Sequence, residues 1–241
     1  MLKPVSYPPE HAWVCDVYAG WTAHDVVRVP EPVASLDDGC WVVDGWGAHR
    51  WVEGRNLVAG REMDLVRQAS DAFHDCVAQL PRPSFLDHRS DSWFYGDRVA
   101  WSGAQPQGDE PTRQLIAEAL AGVQPVRTHS QIVHGDIGGN VLAAEGLPPA
   151  VIDWPPYFHP RGFALAVAAA DAICWSGSPL KLLDAWNDVP EWNQLLLRAV
   201  IYRLATRGRA EALDISPRGE TDSARYADQH RPLLLAVLRR P

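Results

Sequence analysis

The chain has 241 residues, 46% of them hydrophobic, which is enough to bury a real core in one large domain or two small lobes. Lys and Arg number 22 against 30 Asp and Glu, a formal net charge of −8, so no overall basic field exists to hold nucleic acid or an anionic membrane. Cys15, Cys40, Cys76 and Cys174 form no CxxC pair, and neither a signal peptide nor a membrane-length apolar run is present, which reads as a reduced, cytoplasmic protein.

In chain order, MLKPV reads as a strand. Pro8-Pro9-Glu10 ahead of Ala12, Trp13, Val14 and Val17 reads as a helix start with one apolar face. VRVPEPV and CWVVDGWGAHRWVEGR are rich in Val and Trp with breaks at Asp44-Gly45 and Gly47, which predicts two or three antiparallel strands. Gly54-Arg55-Asn56 reads as a linker. From Leu65 through Leu80 apolar residues recur at helical spacing until Pro81-Arg82-Pro83 stops them, and residues 84–110 look like a long irregular connection. A helix follows through Leu115, Ile116, Ala119 and Leu120, ending at Gly122. QIV, NVLAA and AVIDW are runs too brief for helices, broken by Gly and Pro-Pro, and predict a hairpin. Further helices are expected over 163–174, 180–186, 192–206 (ending near Gly208) and 223–238. The order predicts an α+β fold, a small sheet-bearing lobe (1–54) followed by a larger, mainly helical lobe (55–241), with a cleft between unequal lobes.

The segment QIVHGDIGGNVLAAEGLPPAVIDW carries the chemistry. If the runs of Asn140 and Asp153 pair across Gly146-Leu147-Pro148-Pro149, both side chains leave the same end of a hairpin. A carboxamide oxygen and a carboxylate there suit a hard cation such as Mg²⁺, which keeps substrate phosphates as further ligands. Asp136 is then free to accept a proton from, or orient, an attacking hydroxyl, a division of labour that is phosphoryl transfer.

HGDIGGN followed by VIDW resembles the paired signature of the aminoglycoside phosphotransferase and choline kinase family, relatives of the protein kinases. The resemblance implies a protein-kinase-like two-lobe fold and transfer of the γ-phosphoryl group of ATP or GTP, with Mg²⁺, to a hydroxyl of a small molecule. Asp136 would be the base or hydroxyl-orienting group, Asn140 and Asp153 the Mg²⁺ ligands, and His134 with Gly135 would hold the loop in shape. MLKPV is similar to the family's lysine strand, which makes Lys3 the phosphate-contacting lysine and Glu10 its ion-pair partner. The strand around Arg50, Trp51 and Val52 resembles the hinge whose backbone meets adenine.

Two departures from the family pattern stand out. Only Met1 and Leu2 precede Lys3, so the glycine-bearing hairpin over the phosphates is missing from this chain; weak ATP binding and an uncovered sheet edge open to homodimerisation are the expectations. The loop from Asp136 to Asn140 is one residue shorter than usual, and Gly138-Gly139 is expected to bring the amide round through glycine's conformational freedom.

Two other readings compete. A metal-dependent hydrolase would use His134, Asp136, Asp153 and His159, but it leaves Asn140 idle. A non-catalytic binding module of kinase-like fold would need no three convergent oxygen donors. Of the remaining histidines, His11, His24, His49, His74, His88, His129 and His230 show no ligand spacing. The aromatic run 154–159 is expected either to shape an acceptor pocket or to pack between strand and helix.

Overall fold

The computed structural model of the chain describes residues 1–215 and 223–240. Compactness divides it into Met1–Asp87 with Ser130–Ala164, and His88–His129 with Leu165–Pro241. The first unit therefore contains both the N-terminal strands and the polar hairpin. This cut follows packing and differs from the division by role expected at residue 54.

In the first unit, β1 (Leu2–Pro4) runs into α1 (Pro8–Ala19), whose opening proline occupies a position where no intrahelical amide bond is lost. β2 (Pro32–Val33), β3 (Val42–Val43) and β4 (Trp46–His49) complete an antiparallel sheet in which β4 pairs with the other three and Lys3 lies opposite Gly47. Asp44 and Gly45, at φ 50° and 78°, make the two-residue turn that joins β3 to β4, where both central residues need positive φ.

Two expectations change in the next stretch. Residues 50–53, expected as a strand, are irregular: Trp51 is 77% exposed and Arg50 pairs with Glu31 at 3.0 Å on the surface. The supposed linker is a strand, β5 (Arg55–Asn56), antiparallel to β7 (Val141–Ala143). Two residues are too few to show a period, and Gly54, at φ 149°, brings the backbones so close that a Cβ there would fall 2.8 Å from the Cβ of Leu142.

The predicted hairpin forms as expected: β7 pairs with β8 (Ala150–Val151), Val141 opposite Val151. Arg28 stitches its turn to the chain after α1, exchanging backbone bonds with Pro149 and Val151 (2.9 Å each) while its Nε donates to the Pro148 carbonyl (2.8 Å). β6 (Ser130–His134) pairs with β9 (Pro156–Pro160), a strand the sequence hides because proline closes it at both ends. α2 (Met63–Val77) packs on β6 through a stripe that includes Val66, Ala69, Phe73 and Val77. Trp154 sits at the centre of this unit, 5% exposed, with Trp13, Tyr18 and Phe73 around it at ring-centroid distances of 5.3, 5.7 and 4.9 Å. Trp154 and the buried Tyr157 are core, so neither ring is available to stack on an acceptor.

The second unit is helical: α3 (Ser92–Ser102), α4 (Glu110–Ala121), the greater part of α5 (Gly162–Trp175), α6 (Leu182–Ala185), α7 (Trp192–Ala212) and α8 (Ser223–Leu238). α3 lies within the stretch expected to be irregular. Asp91 caps it by accepting the Phe94 amide, and Gly96, a weak helix former, is there because a Cβ would fall 2.2 Å from Thr206 Oγ1 of α7. α7 continues past Gly208, which serves close approach and not termination: a Cβ at 208 would lie 2.2 Å from the Gln107 carbonyl oxygen. Inside this bundle Asp171 of α5 is clasped by Arg203 of α7, whose Nε donates to Oδ1 at 2.9 Å. No helix among the described residues is long and apolar enough to cross a membrane, and all four cysteines are free.

Candidate active site

The loop after β6 is built on two buried histidines. His134 is fully buried; its Nδ1 accepts the Asp136 amide (3.1 Å), so its proton resides on Nε2, which donates to the Ile152 carbonyl (3.0 Å). The His134 amide in turn donates to Nε2 of His74 (3.0 Å), which places the His74 proton on Nδ1, donating to the Ser70 carbonyl at 2.7 Å. Burial drives both imidazoles to the neutral form, His134 below its ordinary pKa and His74 down to about 3. The chain of bonds runs from α2 through β6 to the residue after β8, and fixes the amide of Asp136 on the way. Each such bond contributes about 1 kcal/mol net, whereas an orphaned buried partner costs about 1–3 kcal/mol.

From there a single short turn, Ile137–Gly139, closes with the Asn140 amide on the Ile137 carbonyl at 3.0 Å. Asn140 Nδ2 donates to the Asp136 carbonyl (2.6 Å) and approaches its carboxylate (3.4 Å). The loop thus brings the amide round, but not as anticipated: neither Gly138 nor Gly139 adopts positive φ, because one tight turn with ordinary dihedrals spans the gap. Gly135 has a different reason to be glycine. A Cβ there would fall 2.3 Å from the buried Tyr157 ring, and its amide bonds the Pro155 carbonyl at 3.0 Å.

Across the hairpin the Ile152 amide bonds the Asn140 carbonyl at 3.0 Å, so Asp153 emerges one residue beyond Asn140's partner, at the same end. Its φ of 51° is a left-handed conformation that aspartate tolerates better than most residues. The charges of Asp136 and Asp153 both favour the protonated form of His134, against the larger effect of burial. The Lys3 ammonium contacts the Asp153 carboxylate from 150 residues away. The resemblance implies Glu10 as the partner of Lys3; the carboxylate that the ammonium contacts here is that of Asp153, within reach of its flexible stem. Glu10 sits half-buried in the first turn of α1. Arg50 and Trp51 are exposed and Val52 is half-buried. Just beyond them, Glu53, Gly54, Arg55, Ala143, Ala144 and Glu145, at the paired ends of β5 and β7, line an open groove of ≈ 640 Å³.

The donor set fits a hard divalent cation: the Asp153 carboxylate and the Asn140 carboxamide oxygen, with the Asn140 nitrogen turned to Asp136. It does not fit the hydrolase reading, since His134 has both ring nitrogens engaged and cannot ligate a metal. Sequence reasoning missed His74, and a signal for it existed: it lies four residues from Ser70 on the otherwise apolar face of α2, and a polar side chain on a buried stripe requires a partner.

A family model described as "Phosphotransferase enzyme family" matches residues 3–157. No curated protein matches the chain. Among solved structures, a thermostable mutant of aminoglycoside phosphotransferase APH(4)-Ia in ternary complex with AMP-PNP and hygromycin B aligns with a TM-score of 0.61 at 16% identity, covering 94% of this chain and 82% of that one. A second thermostable mutant of the same enzyme, with ADP and hygromycin B, gives 0.60 at 15% identity over 95% and 82%. A choline/ethanolamine kinase family protein from Mesorhizobium loti gives 0.53 at 17% identity over 100% and 82%. At these identities the likeness is one of fold.

Proposed function

The chain belongs to the phosphotransferase enzyme family, and we propose that it moves the γ-phosphoryl group of ATP, or of GTP, to a hydroxyl of a small molecule, assisted by Mg²⁺. One observation carries the reading: the Lys3 ammonium touches the Asp153 carboxylate. A cation suited to phosphate oxygens therefore meets an anion suited to a metal, beside the loop in which Asn140 is bonded to Asp136.

In this reading Asn140 Oδ1 and the Asp153 carboxylate hold Mg²⁺, and the ion, when bound, neutralises charge on the transferring phosphoryl group. Lys3 exchanges Asp153 for the α- and β-phosphate oxygens. Asp136 orients the acceptor hydroxyl and takes its proton, while the two neutral histidines keep the Asp136 backbone from drifting. Residues 1–54 would serve the nucleotide, with adenine in the groove beyond Val52 and its edge toward the backbone of Arg50, Trp51 and Val52; residues 55–241 would serve metal and acceptor. The hygromycin B held by the solved neighbours is an aminoglycoside, and the net charge of −8 favours a cationic, hydroxyl-bearing acceptor of that kind.

The test is ADP release from ATP and Mg²⁺ in the presence of a panel of aminoglycosides, choline and simple sugars, run beside nucleotide thermal shifts. Acceptor-dependent ADP release should fall roughly 10²–10⁴-fold in Asp136→Asn with the fold intact. Nucleotide binding without transfer to any acceptor in the unmutated chain would instead support a binding module.

A further inference from the structure

A second cluster lies in the first unit, on the buried side of α1. His11 and Cys15 are four residues apart on that helix and so share a face, and His49 ends β4 opposite them. The Cys15 sulfur is 3.7 Å from His49 Nε2, the two imidazoles stand nearly perpendicular at 5.2 Å between centroids, and one donor atom from each residue lies within 4.8 Å of the other two. All three are buried: His11 is 9% exposed, Cys15 0% and His49 7%. His11 Nε2 is buried without a hydrogen-bond partner among the described residues, a costly state that calls for an explanation. A Cβ at Gly47 would fall 2.1 Å from that nitrogen, so the lack of a side chain on β4 is what lets the ring sit there.

We propose that His11, Cys15 and His49 form a zinc site that clips α1 to β4. Two imidazoles and a thiolate are a borderline-soft donor set that selects zinc over the hard Mg²⁺. Tetrahedral zinc with ordinary bond lengths separates sulfur and nitrogen ligands by about 3.6 Å, close to the contact already present. Binding replaces the Cys15 thiol proton: the thiol and Zn²⁺ give a zinc-bound thiolate and a released H⁺, with no change of oxidation state. The fourth position stays open to water. Because β4 pairs with β1 at Gly47 and Lys3, the ion would stiffen the sheet that carries Lys3. The site stands whether or not the chain transfers phosphoryl groups.

The full chain, stripped with chelator and reloaded, should retain one zinc per chain through gel filtration in excess Mg²⁺, by elemental analysis. Loaded with Co²⁺ it should show thiolate-to-cobalt charge-transfer absorption in the near ultraviolet. Cys15→Ser should abolish that band. His11→Ala with His49→Ala should lower zinc affinity at least tenfold, while His24→Ala, at an exposed position, should not. A variant with Cys40, Cys76 and Cys174 all changed to Ser should keep the band, which preserves the test if the site variants fail to fold. A folded, unmutated chain that retains no zinc and shows no band overturns the proposal, as does a band that survives Cys15→Ser.

Discussion

Acidification from pH 7 to pH 5 protonates His74 in the unfolded chain but leaves it neutral in the folded one, where burial holds its pKa at about 3 against an ordinary 6.5. The unfolded state binds more protons throughout that interval, so this group's contribution to stability is complete above about pH 6.5 and is lost as pH falls toward 3. At pH 5 the unfolded side chain is almost wholly charged and the folded one almost wholly neutral. The gap of roughly 1.5 pH units from the unfolded pKa, at about 1.36 kcal/mol per unit, gives about 2 kcal/mol from this one residue, or roughly 4–8 °C in a chain of this size. His74→Gln removes the titration while keeping an amide nitrogen for the Ser70 carbonyl and an oxygen for the His134 amide. Denaturant unfolding of both proteins at pH 7 and pH 5 should show the unmutated chain losing about 2 kcal/mol more than the variant. Equal losses would refute the reasoning, because His74 would then titrate alike in both states and its neutral, doubly bonded placement would be wrong.

Lys3→Met removes an ion pair whose side chains are 39% and 63% exposed, so stability should change by under about 1 kcal/mol while phosphoryl transfer and nucleotide affinity fall; a large melting shift would make Lys3 structural. Gly135→Ala drives a Cβ into the Tyr157 ring and should cost about 1–3 kcal/mol as well as activity, since Asp136 is the next residue; thermal unfolding and turnover check it together. Arg203→Met removes the guanidinium that clasps Asp171 and should cost about 3–5 kcal/mol by denaturant unfolding, with Asp171→Leu in the same chain recovering most of it.

The features the sequence determines by itself are those written in neighbouring residues. Pro8 and Pro9 start α1, Asp44-Gly45 turns β3 into β4, and Gly146 through Pro149 turns β7 into β8, each by a dihedral preference that acts over two to four positions. The spacing of Asp136, Asn140 and Asp153 around that hairpin belongs with them, because a tight turn and a short register leave little freedom in where those side chains emerge. What tertiary structure decides is contact between residues that no period links. β9 hides behind its prolines until β6 pairs with it, and α3 hides behind Gly96, whose helix-weakening absence of a side chain is needed only because α7 lies against it. Lys3 finds Asp153, and His74 finds His134, because an ion pair or hydrogen bond is chosen by distance in space. His11, Cys15 and His49 gather for the same reason: two come from one helix face, which the sequence does record, and the third comes from a strand whose register only the folded sheet sets.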